Sequence, residues 1–355
     1  MNDYEKRTFS KAVTAIAVLL CTANLSHSQN ISEYDRLKME ILTLRQTNDS
    51  LLRELAKYRR AELPDLWAGL SHMDEDADVD MDYSGFGLQG EKRPSALQRE
   101  VATAIPSFRL KYNDIYEKYI EKYTVARHKS MPYILGRYNM YLPMFRATFA
   151  KYGVPEELTA LCIVESAVSR EALSPVGALG MWQLMPQTAR QYGLVVDETL
   201  DERLVIDKAT DVAARVLRDL KRSLGSWELA VLAYNCGAGN VRKAIIRSGG
   251  AKDVWAIYDW LPTETRAYLP SLVAAAYCVK YHANYDITPR NYTRPRYESY
   301  TLKKACLIED LAMALAMNAS ELRKINCEYV QGLLRRGMAV SVPPGMGRIL
   351  EVNGF

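Results

Sequence analysis

Metal and redox chemistry have little to work with in this chain. Six cysteines, none in a Cys-x-x-Cys pair, and four scattered histidines form no zinc-ligand cluster, and no cofactor is expected. With Cys21 set aside the cysteine count is odd and the spacing irregular, which argues against a disulfide framework. A Cys306–Cys327 bridge in the tail remains open. Charge of one sign is also scarce: 46 Lys and Arg against 42 Asp and Glu give +4, which makes no case for nucleic acid. No apolar run has the roughly 20 residues of a confident membrane helix. Residues 12–25 are the nearest approach and follow Lys6, Arg7 and Lys11, the layout of a secretory signal peptide. Ser26, His27 and Ser28 suit cleavage after 28. A lipid anchor at Cys21 is the alternative, disfavoured by Leu20 where a small residue is wanted.

What is present falls into blocks. With 48% hydrophobic residues, the chain can bury one sizeable helical core plus a small appendage. Residues 29–62 carry a heptad, with Tyr34, Ile41, Asn48 and Leu55 at one seam position and Leu37, Leu44, Leu51 and Tyr58 at the other. Asn48 is the kind of seam residue that fixes register in a two-stranded coil, but so short a coil is marginal alone. Homodimerisation, binding of another protein, docking on the rest of the chain and simple spacing all stay open. Residues 63–98, including MDEDADVDMD at 73–82, read as an acidic flexible linker. The glycine and distal Glu of a calcium loop are not at their offsets, so no metal is expected there. Tyrosine-rich segments such as YNDIYEKYIEKY (112–123) are expected to be helices covering the body from its N-terminal side.

The stretch 155–186 carries the chemistry. Pro155 and the acids of PEEL are helix-start signals, and Leu158, Leu161, Cys162, Val164 and Val168 give the helix a largely apolar body. Glu165 sits late in it. An isolated helical Glu is ordinarily solvated. In apolar surroundings, however, its charged form is disfavoured, its pKa rises, and it becomes a general acid. A Ser-Pro turn at Ser174 and a glycine-rich elbow with Gly177 and Gly180 follow.

Three further blocks follow the Glu165–Ser166 pair: GALGMWQLMP (177–186), AYNCGAGNV (233–241) and LPTETRAYLP (261–270). Through them residues 107–289 resemble the lytic transglycosylases of the goose-lysozyme-like superfamily (SLT domain), most closely the membrane-bound type D group. The resemblance implies a peptidoglycan substrate cut at the MurNAc–GlcNAc β-1,4 bond. It also implies that Glu165 alone acts as acid and then base, leaving a 1,6-anhydro end without consuming water. Ser174 matches a contact to the muramyl N-acetyl group, although a serine before proline is also simply a turn residue. Gln183 and Met185 match groove-lining positions; Trp182 is either groove or core. Tyr234 and Asn235 match an Ala-Tyr-Asn motif whose hydroxyl lies near the catalytic Glu, with packing as the plainer reading for Tyr234. Cys236 is expected to be buried and inert. Glu264 is expected either to hydrogen-bond near Tyr234 or Glu165 or to pair with Arg266, and Tyr268 is the better groove candidate. Glu171, Asp197, Asp201 and Glu202 read as loop charges. One departure stands out: Ser169-Arg170 replaces the Asn-Pro common after the Glu-Ser pair, so that loop is expected to differ in shape.

After residue 289 the composition becomes basic and tyrosine-containing. LIEDLAMALAM (307–317), a cap at Ala319-Ser320, ELRKIN (321–326) and MAVSVPP (338–344) then outline strand–helix–helix–strand. This resembles a LysM module, with Leu322 and Asn326 at its Leu-x-x-x-Asn but without its usual Gly-Asp-Thr. Glycan binding and mere packing against the body are both open. The expected organisation is a signal peptide (1–28), a coil or docking helix (29–62), a linker (63–98), a mainly α lysozyme-like catalytic domain (99–290) and a degenerate α+β LysM-like module (297–350). An exported, periplasmic wall enzyme follows. A hydrolytic muramidase on the same fold and an inactive wall-binding protein are the rivals. The first would want a second carboxylate that the sequence does not offer.

Overall fold

A computed structural model describes residues 95–109 and 111–355, all within one unit; the signal, coil and most of the linker lie outside these residues. Helix α1 (Ala96–Ala104) starts with a capping box. The Ser95 hydroxyl accepts the Gln98 N–H, and the Gln98 side chain accepts the Ser95 N–H. Residues 95–98, read as the end of the linker, therefore open the helical body.

The body continues through α2 (Ile115–Glu121), a wider turn at Lys122–Ala126 and α3 (Met131–Lys151). A tight turn at Glu156–Ala160 leads into the short α4 (Leu161–Ser166). The helix read from Pro155 is thus divided, with Pro155 capping the turn and not sitting inside a continuous helix. Then come α5 (Pro186–Gln191), a turn at Glu202–Leu204, α6 (Ile206–Leu224), α7 (Trp227–Cys236), α8 (Ala238–Arg247), α9 (Val254–Ile257) and α10 (Thr263–Tyr281). Among the described residues no helix is long and apolar enough to cross a membrane.

Helix α10 is the axis. Its stretch 268–278 is buried without interruption, as an element apolar on every side must be, and α1, α2, α4 and α7 all pack on it. The tyrosine-rich α2 is core and not cover. Tyr116 and Tyr123 are fully buried with α10, and Tyr116 meets the Trp255 ring edge-on at 5.7 Å. Trp182 also belongs to the core. It packs on Phe145 at 5.2 Å and Phe149 at 5.4 Å, and its indole N–H donates to Thr210 at 2.9 Å. That contact anchors the elbow after α4 to α3 and α6.

The C-terminal residues build a second, separate core from Leu302, Ile308, Leu311, Leu322, Leu334, Val340 and Val342. Strand β1 (Glu298–Thr301) pairs antiparallel with β4 (Ala339–Val342), and β2 (Cys306–Leu307) with β3 (Leu333–Leu334). Between β2 and β3 lie α11 (Ile308–Ala314) and α12 (Ala319–Ile325), and α13 (Gly347–Val352) follows β4. Asn318, not Ala319-Ser320, caps α12 by accepting the Ser320 N–H. Asn326 is buried and joins α12 to β4: its amide donates to the Ser341 carbonyl at 2.8 Å and its oxygen accepts the Ser341 N–H at 2.7 Å. Cys306 and Cys327 are free thiols.

Candidate active site

The last turn of α4 delivers Glu165. Helix α4 is only Leu161–Ser166 long because Ala167 and Val168 both take positive φ, at 50° and 63°. Such backbone is costly for a β-branched residue, so the surroundings must hold it. Ser166 does much of the holding. Its hydroxyl lies 2.9 Å from the Met181 carbonyl and accepts the Ser169 N–H at 3.1 Å, which ties the helix end to the elbow.

Glu165 is half-buried, and burial pushes its carboxyl from the ordinary 4.5 up to about 7. Tyr268, reaching across from α10, donates a short hydrogen bond to Glu165 Oε1 and draws the pKa partly back down. No other acidic side chain among the described residues acts on it. Tyr234, expected near the glutamate, donates its hydroxyl to the Trp182 carbonyl at 2.8 Å. Its phenol is raised first by burial and then by the charge of Glu165, so it lies close to the carboxyl without hydrogen-bonding to it. The hydrogen bond to the carboxyl comes from Tyr268, read from the sequence as a groove residue.

The elbow supplies the other face. Ser174 Oγ accepts the Ala178 N–H at 2.9 Å, closing the turn that Pro175 and Gly177 shape, so its oxygen is engaged in structure. Gln183, with φ of 46°, spends its amide N–H groups on the Ala172 and Gly180 carbonyls at 2.8 and 2.9 Å. Only its carbonyl oxygen is left to accept from a ligand. Met185 stands exposed beyond it. Gly180 is pinned, since a Cβ there would lie 2.6 Å from the Arg203 carbonyl.

Part of this segment is similar to known proteins. Residues 143–256 match the Transglycosylase SLT domain. Over 180 residues it is 34% identical to membrane-bound lytic murein transglycosylase D of Escherichia coli K12, an alignment covering 49% of this chain and 39% of that protein. It is 27% identical over 141 residues to the soluble lytic murein transglycosylase of the same strain, covering 38% of this chain and 22% of that one. The crystal structure of the 70 kDa soluble lytic transglycosylase of E. coli aligns with 40% of this chain and 24% of its own at 25% identity, with a TM-score of 0.36. The chain thus spans well under half the length of these relatives. Tyr268 and the C-terminal module lie outside the matched SLT segment.

Within and beside the matched segment some expectations fail. Glu264 is exposed at the start of α10 and is not brought to the site; Arg266 caps the Leu261 and Asp259 carbonyls and does not pair with it. Asn235 is exposed, and its oxygen accepts the Thr265 hydroxyl at 2.8 Å, fastening α7 to α10. Cys236 is half-buried, not sealed in. Asp201 and Glu202 are not loop charges. Asp201 forms a buried two-pronged pair with Arg203, whose remaining N–H groups hold the Gly177 and Leu184 carbonyls at 2.8 and 2.9 Å. Glu202 accepts the Val195 N–H and pairs with Lys208. Together these charges form the frame that fixes the elbow opposite Glu165. Arg203 carried no motif of its own, and an acid and base two apart in Asp201-Glu202-Arg203 was the one available signal; Ser166 stood in the Glu-Ser pair, but nothing there said that its hydroxyl would tie the helix end to the elbow.

Proposed function

We propose that the chain is a peptidoglycan lytic transglycosylase in which Glu165 performs both proton transfers. The observation that carries this reading is a half-buried carboxyl raised to about 7, with a tyrosine hydroxyl as its one hydrogen-bond partner among the described residues, in a segment that matches the SLT domain. Near neutral pH such a group is partly protonated and can donate to the glycosidic oxygen as the MurNAc–GlcNAc β-1,4 bond breaks. The carboxylate left behind keeps the Tyr268 hydrogen bond. It then accepts the proton of the sugar's own C6 hydroxyl as that oxygen attacks the anomeric carbon, closing a 1,6-anhydro ring.

A hydrolase on this fold would need a second carboxylate about 6.5–9.5 Å away to activate water. Acids near it in sequence are exposed or engaged elsewhere: Glu171 faces solvent, Glu156 pairs with Arg146, Glu157 accepts the Ser107 N–H, Asp201 pairs with Arg203, Glu202 with Lys208, and Asp197 holds the turn at Thr199 and Leu200. The Gln183 carbonyl oxygen, Met185 and Tyr234 are assigned to the glycan groove, and Ser174 and Asn235 to its walls and supports, not to sugar contact; Glu264 is left outside it. The murein named in the relatives' descriptions and the expected export favour an envelope location. Release of soluble glycan fragments from purified peptidoglycan by the full chain, and its loss in Glu165→Gln, tests the assignment. Equal release by both proteins would refute the role of Glu165.

A further inference from the structure

We infer that the C-terminal module is a positioning element of the active site, coupled to it through Arg170. The inference rests on the transglycosylase reading for what is being positioned. Arg170 lies in the loop that leaves Glu165, at the departure from the Asn-Pro pattern. Its guanidinium divides between the body and the module. Nε donates to the Leu204 carbonyl at 2.7 Å, Nη1 to the Ile325 carbonyl at 3.2 Å, and Nη2 to Glu328 Oε2 at 2.8 Å. Both side chains of that ion pair are well shielded, at 26% and 11% exposure. Glu328 is thereby a buried acid that depends on Arg170 for compensation.

The same module loop joins the frame of the elbow. Asp201 donates its N–H to the Glu328 carbonyl at 2.8 Å, and Val330 donates to the Thr199 carbonyl at 3.0 Å. Leu200 and Tyr329 pair as a short antiparallel bridge, and Leu200 packs into the module's core. These residues directly precede Arg203, which grips Gly177 and Leu184. The path from the module to both walls of the pocket is therefore short. One branch runs through Arg170 into the strained Ala167–Val168 turn after Glu165, where the Ala167 carbonyl also receives an Arg137 N–H at 2.8 Å. The other runs through segment 199–204 into the elbow.

The covalent connector does not explain this docking, because residues 288–297 are irregular and mostly exposed. Its Arg294–Asp207 pair is solvent-facing and contributes little. A module that only recruited glycan would need a tether and no more. This one is hydrogen-bonded into the loop that carries the acid.

The test uses the full chain with Arg170→Ala, Arg170→Lys and, from the module side, Glu328→Gln. Steady-state kinetics are measured on short, uncrosslinked glycan strands, and hydrogen exchange is followed at 167–184. A positioning role predicts that Arg170→Ala and Glu328→Gln lower kcat about tenfold with KM changed less than twofold. It also predicts faster exchange across 167–184 and partial recovery in Arg170→Lys, which keeps the charge without the fork. Unchanged kcat and unchanged exchange in both Arg170→Ala and Glu328→Gln would overturn the inference, as would effects confined to KM. A wild-type chain without activity would refute the transglycosylase reading instead; the exchange data then decide the coupling on their own. If Arg170→Ala fails to fold, Glu328→Gln carries the test alone.

Discussion

A carboxyl group that must first give up a proton and then take one back works best with a pKa near the working pH, and the surroundings of Glu165 supply that. Burial raises its pKa and the Tyr268 hydroxyl restrains it, and both effects should show in the pH profile. The activity should have a basic limb near pH 7, where the acid form is lost. In Tyr268→Phe the restraint is gone, so that limb should move up by about one pH unit while kcat falls by about tenfold, as read from kcat/KM against pH. A limb that stays in place or moves down would contradict the hydrogen-bond assignment. Stability follows the same group. Between pH 4.5 and about 7 the folded chain holds a proton that the unfolded chain has released, so wild-type stability declines as pH rises through that window. Glu165→Gln escapes the decline. Its advantage in urea unfolding should be near zero at pH 4 and about 2–3 kcal/mol at pH 8.

At the scale of elements, the elbow 177–184 is held by charge and shape together. Arg203 and Asp201 are buried with each other, and removing one leaves the other uncompensated. Arg203→Leu should therefore cost about 3–5 kcal/mol, measured by urea unfolding. Gly180→Ala combines a φ of 85° with a Cβ only 2.6 Å from a backbone oxygen, and should cost at least about 2 kcal/mol. Activity should fall further than either loss of stability explains. Much of the site was legible in the sequence because its motifs are local: the apolar helix before Glu165, the glycine elbow, and Tyr268 in LPTETRAYLP. What the sequence hid was partnership over distance. Nothing in Tyr234 or Tyr268 says which of two tyrosines, on helices far apart in the chain, will reach the carboxyl and which will cap Trp182. Asp201 looked solvated because its neighbours are polar, and only the fold brings Gly177 and Leu184 to Arg203. Glu264 looked promising because it sits in a motif, but that motif's turn faces it to solvent.

For the whole molecule, two hydrophobic cores are joined by the contact between segments 199–204 and 325–330. The strand–helix–helix–strand outline of the tail could be read from its sequence, whereas its docking could not, since Arg170 and Glu328 lie 158 residues apart. Because the contact shares backbone hydrogen bonds and a buried ion pair, calorimetry of residues 95–355 within the full chain should show the two cores melting in one transition. Two resolved transitions would contradict a docked module. The central claim remains chemical: the substrate's own hydroxyl, not water, completes the reaction at Glu165. Its most direct test is mass spectrometry of the sugar ends released from purified peptidoglycan in oxygen-18 water, with Glu165→Gln as the control. The account predicts ends one water lighter than hydrolytic products, free of the heavy isotope and absent in the control. Full-mass reducing ends carrying oxygen-18 would contradict it.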